Sequence, residues 1–234
     1  MRRALVLLAV LLVAGCRGSG SPKLTVFAAS SLTEVFQQLD QKARFDFAGS
    51  NELALQIEQG AKPDVFAAAS PKYAEQLHEK GLIDGPRFFA SNRLVIVVPK
   101  GNPAHIAVPG DLARPGVKLV LGAAGVPVGD YARKALKRLG VAASPVSEED
   151  DVKGVVGKVA LGEADAGIVY ATDVKPVADK VRVVELPAQA QPKIRYPIAV
   201  LVHAEDTEGA RAFVALVLGP TGQAALRAAG FGPP

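Results

Sequence analysis

Lys23-Leu24-Thr25-Val26-Phe27-Ala28, continued by Ala29-Ser30-Ser31-Leu32-Thr33-Glu34-Val35-Phe36-Gln37-Gln38-Leu39, is the stretch that decides the architecture. Its first six residues are mostly apolar and read as a strand. Leu32, Val35, Phe36 and Leu39 then fall at i, i+3, i+4 and i+7, the apolar stripe of a helix. This strand-to-helix step recurs. Arg44 to Ala48 leads to Glu52 to Gln59, and Asp64 to Ala69 leads to Pro71 to Lys80, where Ser70 suits the cap and Pro71 the first helical position. Arg93 to Val98 is a strand of branched residues, and turn residues crowd from Pro99 to Pro115, which places the crossing between two lobes near there.

Beyond the break, Lys118 to Gly122 reads as a strand. A Gly/Pro loop follows, and Tyr131, Ala132, Ala135, Leu136 and Leu139 trace one face of a helix ended by Gly140. Asp150 and Asp151 open another helix, striped by Val152, Val155, Val156 and Val159. Strands follow at Ala166 to Tyr170, Val181 to Leu186 and Ile194 to Val202, then helices at Gly209 to Leu218 and Pro220 to Ala229. Such alternation predicts an α/β protein with parallel sheets covered on both sides.

The chain has 234 residues, 49% hydrophobic and 21% charged, with one Cys and no Trp. This composition excludes a disordered chain and a disulfide scaffold. Its N-terminus has a separate logic. Arg2 and Arg3 precede an apolar run from Ala4 to Ala14, and Val13-Ala14-Gly15-Cys16 closes the run with small residues. This pattern is similar to a bacterial lipoprotein signal, residues 1–15, cleaved before Cys16, with 16–22 as a lipidated tether. The run is shorter than the roughly 20 residues of a membrane span. Cleavage removes two arginines, so the net charge drops from +4 to +2 over 219 residues. No basic stretch remains for a nucleic-acid backbone.

The usual catalytic signatures are missing. His78, His105 and His203 lie in different elements without zinc-site spacing, no Ser sits in a GxSxG elbow, and Gly157-Lys158 is followed by Val159 instead of the hydroxyl of a phosphate-binding loop. The carboxylates from Glu148 to Asp151 read as a solvated first helical turn. Hydroxyls at strand-to-helix junctions are present instead: Ser30 and Ser31 at the first, Ser50 and Asn51 at the second. A Gly/Pro loop at Gly125 to Gly129 precedes a third helix, and Tyr170 ends a strand. Each Ser alone reads as a helix cap, and Ser31 with Glu34 matches a capping box. Together they mark the crevice at the strand ends of an open α/β sheet, where helix N-termini hold anions.

Phe27-Ala28-Ala29-Ser30-Ser31-Leu32, Phe47-Ala48-Gly49-Ser50, Pro127-Val128-Gly129-Asp130-Tyr131-Ala132, Asp151-Val152, Gly167-Ile168-Val169-Tyr170, Tyr196-Pro197 and Gly230-Phe231 occur in this order. The ordered set resembles the periplasmic molybdate-binding proteins of bacterial ABC importers. The resemblance implies a two-lobed periplasmic-binding-protein fold of type II, with two strand crossovers between lobes. Lobe 1 is then expected at 23–95 and 200–234, and lobe 2 at 96–199. It further implies a monomer that holds molybdate or tungstate with Ser31 and Ser50 from the first lobe. The backbone N–H groups of Val128 and Val152 and the phenol of Tyr170 come from the second. Ser30 and Asn51 stand behind these contacts. Val128 departs from the smaller residue frequent in that family, a change that a backbone donor tolerates.

In this reading molybdenum is present only as the oxyanion, with no direct protein ligand to the metal and no cofactor. The partners are an ABC permease and, through Cys16, a membrane, on the periplasmic side or the cell surface; nucleic acid is not one. The donor set is chemically coherent, since molybdate is fully deprotonated at neutral pH and phosphate retains a proton that needs an acceptor. Charge-assisted hydrogen bonds contribute roughly 1.5–3 kcal/mol each, and micromolar to nanomolar affinity needs about 8–12 kcal/mol, so a handful of uncharged donors suffices. Alternatives are a carrier of sulfate, phosphate or another small oxyanion and, from another class, a lipid-anchored α/β enzyme.

Overall fold

The computed structural model describes residues 23–234. The expected signal at 1–15, the tether at 16–22 and the lipidation site Cys16 lie outside them. Two five-stranded mixed sheets, each packed with helices, form two lobes.

The first sheet grows from β1 (Thr25–Ala29), which pairs in parallel with β2 (Arg44–Ala48) on one side and β3 (Val65–Ala67) on the other. Helices α1 (Thr33–Leu39), α2 (Ser50–Glu58) and α3 (Pro71–Glu79) make the connections. The apolar stripe behaves as the sequence predicts. Leu32, Val35 and Phe36 are buried, and the Phe36 ring meets Phe213 edge-on at 5.2 Å. Ser70 caps α3 by accepting from Lys72 N–H, with Pro71 in the first turn.

A strand that the sequence pattern does not signal, β4 (Arg87–Asn92), belongs to the same sheet. Only Arg93 separates it from β5 (Leu94–Pro99), the centre of the second sheet. The lobe crossing therefore lies at Arg93 and not within the turn-rich stretch from Pro99 to Pro115. The chain passes between sheets as one extended run, and that needs no turn residues. Leu94 and Val95, expected in lobe 1, accordingly pair within the second sheet.

The second sheet runs β7 (Ser147–Glu149), β6 (Leu119–Gly122), β8 (Ala166–Tyr170), β5 and β9 (Val181–Glu185). Helices α4 (Pro127–Leu139) and α5 (Val152–Ala160) cover it. Residues 147–149 are an edge strand and not the helical turn expected there. Glu148 pairs with Arg133, and Glu149 with Lys158 at 2.6 Å. The chain returns through β10 (Ile194–Val200), which inserts into the first sheet between β3 and β4. Residues 194–199, expected in lobe 2, thus belong to the first sheet, and the second crossing falls between Glu185 and Ile194. Helices α6 (Thr207–Leu218) and α7 (Pro220–Ala229) finish the chain against the first lobe.

The two crossing strands also correct the expectation of parallel sheets: β5 runs antiparallel to β8 and β9, and β10 to β3 and β4. Parallel neighbours require a crossover connection, usually a helix, whereas β5 and β10 arrive directly from the other lobe. The crossings are tied together. Gln191 accepts from Leu94 N–H at 2.9 Å and donates to Leu94 C=O at 2.8 Å, so its amide takes the place of a strand neighbour.

Candidate functional site

Between the lobes, the first turns of several helical segments face one small cavity. From the first lobe, Ala29, Ser30 and Ser31 line it at the end of β1, and Ala48, Gly49 and Ser50 at the end of β2. From the second, Val126, Pro127 and Val128 open α4, Asp151 and Val152 open α5, and Tyr170 ends β8. All five residues expected to contact a ligand meet here, with Ser30 beside them. Asn51 does not line the cavity; it sits in the first turn of α2 with its Oδ1 buried and without a hydrogen-bond partner among the described residues.

Neither serine caps a helix. Ser31 lies in a short 3-10 turn, Ser30–Leu32, that runs into α1, and its Oγ is 3.0 Å from Tyr196 Oη. Ser50 is the first residue of α2, whose cap position is Gly49. Its Oγ accepts from Ala69 N–H at 3.0 Å. That bond occupies a lone pair of Ser50 and leaves its O–H free to donate into the cavity. The capping-box pattern of Ser31 and Glu34 is likewise unused. Glu34 pairs instead with Lys153 of α5, at 2.6 Å across the cleft.

The second lobe supplies backbone donors. The first N–H groups of a helix have no intrahelical acceptor, and the helix dipole adds partial positive charge there. Proline opens α4, so Val128 carries the first N–H of that helix. The expected loop over Gly125 to Gly129 is in fact helical from Pro127, and Gly129 is what allows it. A Cβ there would stand 2.1 Å from Gly122 O, so only glycine lets the start of α4 press against the end of β6. In α5, Asp151 caps by accepting from Gly154 N–H at 2.9 Å, which leaves the N–H of Val152 at the cavity.

Tyr170 is buried, and its Oη has no hydrogen-bond partner among the described residues. Burial is the main force raising its pKa well above 10, so the phenol stays protonated and remains a donor. The cavity encloses about 10 Å³, on a measure by which one water needs roughly 10–15 Å³. That leaves room for about one water, so a tetrahedral oxyanion enters this cavity only as the lobes move slightly apart, and an amino acid or a sugar would need far more. No Lys or Arg lines it, and its single carboxylate, Asp151, is engaged in the α5 cap. Among the described residues no three His, Cys, Asp or Glu side chains gather as they would around a metal ion.

Two residues of the ordered motif set have no role at the site on sequence alone. Tyr196 stands far from Ser31 along the chain, and only the return of β10 into the first sheet brings the two together. Gly49 precedes a helix as many glycines do, yet its bare backbone faces the Asp150 carbonyl across the cleft.

Comparison with known proteins agrees with this geometry. Residues 24–232 match the family described as bacterial extracellular solute-binding protein. The molybdate-binding protein ModA of Mycobacterium tuberculosis is 40% identical over 225 residues, 92% of this chain and 86% of that protein. The periplasmic molybdate-binding protein of Azotobacter vinelandii superposes with a TM-score of 0.79 at 22% identity, covering 91% of this chain and 100% of the other. The sulfate-binding protein SubI of Mycobacterium tuberculosis superposes with a TM-score of 0.74 at 17% identity, covering 90% and 86%. At these identities the two superpositions speak for the fold alone. With its two lobes, the cleft between them lined by helix N-termini and its matches along nearly the whole length, the chain belongs, with the ModA proteins, to the family of bacterial extracellular solute-binding proteins.

Proposed function

We propose that this protein captures molybdate, with tungstate as an equivalent ligand, in the cleft between its lobes and delivers it to an ABC permease outside the cytoplasm. The observation that carries the reading is Tyr170. A buried phenol with no acceptor among the described residues lines one small interlobe cavity together with Ser31 and Ser50. A buried donor left unpaired costs about 1–3 kcal/mol, and an oxyanion removes that cost. The assigned contacts are the Ser31 and Ser50 hydroxyls, the Val128 and Val152 N–H groups and the Tyr170 phenol. Ser30 lines the cavity beside them, and Asn51 follows Ser50 in the first turn of α2.

The set offers donors and no free carboxylate, which matches a dianion without protons. The 40% identity to a protein named for molybdate supports the choice among such ions. The N-terminal signal supports an anchor through a lipid on Cys16, with the binding unit acting as a monomer. Calorimetry on residues 23–234 tests the ligand. Molybdate and tungstate are expected to bind one to one at micromolar or lower Kd, and sulfate and phosphate at least a hundredfold more weakly. Sulfate binding as tight as molybdate binding overturns the assignment in favour of a general oxyanion carrier.

A further inference from the structure

The site has a further layer behind Ser31. Tyr196 on β10 is fully buried, and its ring packs edge-on against Tyr170 at 5.9 Å and Phe231 at 5.4 Å. The pairing of β10 with β4 shifts register between Tyr196 and Pro197. Such a bulge redirects side chains near a site. The Tyr196 Oη has two partners: Ser31 Oγ at 3.0 Å and Asn92 Nδ2 at a longer 3.4 Å.

The direction of these bonds follows from Asn92. Its Oδ1 accepts from Arg93 N–H at 2.9 Å, which fixes the amide orientation and turns Nδ2 toward Tyr196. The same nitrogen donates to Thr172 Oγ1 at 2.9 Å, in the second lobe. An amide nitrogen can only donate, so Tyr196 Oη accepts from it and has its own proton to give. Ser31 Oγ, at 3.0 Å, is in reach of that proton, and with Tyr196 donating the Ser31 proton points to the cleft. The reverse arrangement would aim the Ser31 proton at Tyr196 and set its lone pairs against an anion.

We propose that Tyr196 and Asn92 are positioning residues that lock Ser31 as a hydrogen-bond donor, so that the site selects fully deprotonated oxyanions over protonated ones. The inference rests on the oxyanion reading and extends it to the basis of specificity. Discrimination against phosphate then depends on hydroxyl direction as well as on cavity size. A phosphate proton needs an acceptor, and the relay removes Ser31 from that role.

Calorimetry at pH 8 with molybdate and with inorganic phosphate tests this on wild type, Tyr196→Phe, Ser31→Ala and the double variant. Tyr196→Phe keeps the ring packing and removes only the hydroxyl. It is expected to weaken molybdate binding at least tenfold and to lower the molybdate-to-phosphate affinity ratio. In the Ser31→Ala background the same change is expected to alter molybdate binding less than twofold, because the two act through one hydrogen bond. Additive losses, or an unchanged ratio between the anions, overturn the proposal while leaving the molybdate reading intact. A wild-type protein that binds neither anion overturns both. Asn92→Ala, at the half-buried end of β4, carries the same expectation at about threefold, and decides the matter if Tyr196→Phe does not fold.

Discussion

Asp173 shows at the scale of one residue how near this fold sets a charge to an anion site. It follows Tyr170 by three positions, is fully buried, and neither carboxylate oxygen has a hydrogen-bond partner among the described residues. Lys153 Nζ approaches to 3.9 Å, already engaged with Glu34 at 2.6 Å. Burial, only partly opposed by Lys153, pushes the Asp173 carboxyl from 3.8 up to about 7. A folded-state pKa above the unfolded value means that the folded protein holds the proton more tightly. The associated stability is fully present below about pH 4 and is lost as pH rises toward 7, roughly 4 kcal/mol in all. Asp173→Asn does not titrate. Its thermal midpoint is therefore expected to exceed that of wild type by a margin that grows from pH 4 to pH 7 and levels off above. A margin equal at pH 4.5 and pH 8 contradicts the assignment. None of this was legible in the sequence, where Asp173 is one carboxylate among many. Its burial depends on how the turn after β8 packs against α5.

At the scale of elements, the strands and helices of the first lobe were largely readable because each has a clean local signal. The stripe of α1 and the Ser-Pro start of α3 are examples, and in the second lobe so is the Gly140 stop of α4, with φ of 66°. The elements that went unread have no such signal. Residues 87–92 are a strand only because β10 lies beside them, and residues 147–149 form a strand by edge pairing with β6. At the junctions each Ser alone reads as a cap and the set together as a crevice; in the structure Ser31 and Ser50 line one cavity and cap neither helix. Gly49 connects this scale to closure. Its φ of −61° is open to any residue, yet a Cβ there would lie 2.5 Å from the Asp150 carbonyl of the opposite lobe. Gly49→Ala is expected to cost the isolated fold only about 1 kcal/mol, the cap preference of glycine over alanine. Molybdate affinity should fall at least tenfold, because the lobes can no longer meet. Unchanged affinity by calorimetry would show that closure does not bring these backbones together.

For the whole molecule, the described form is a closed one. Tyr73 of α3 donates to the Gly125 carbonyl, Glu34 pairs with Lys153, and Lys175 donates to the Ala228 carbonyl at 2.8 Å, all between lobes. These contacts surround the cavity without filling it. A ligand that bridges Ser31 and Ser50 to Val128, Val152 and Tyr170 adds to the closed state what it cannot add to an open one. In the proposed function one molybdate sits between the lobes, on uncharged donors. Crystals grown with molybdate and measured at the molybdenum absorption edge test this directly. A single strong anomalous peak is predicted in the interlobe cavity, within hydrogen-bond reach, through the oxygens, of Ser31, Ser50 and Tyr170. An empty cavity, or a peak elsewhere on the protein, would contradict it.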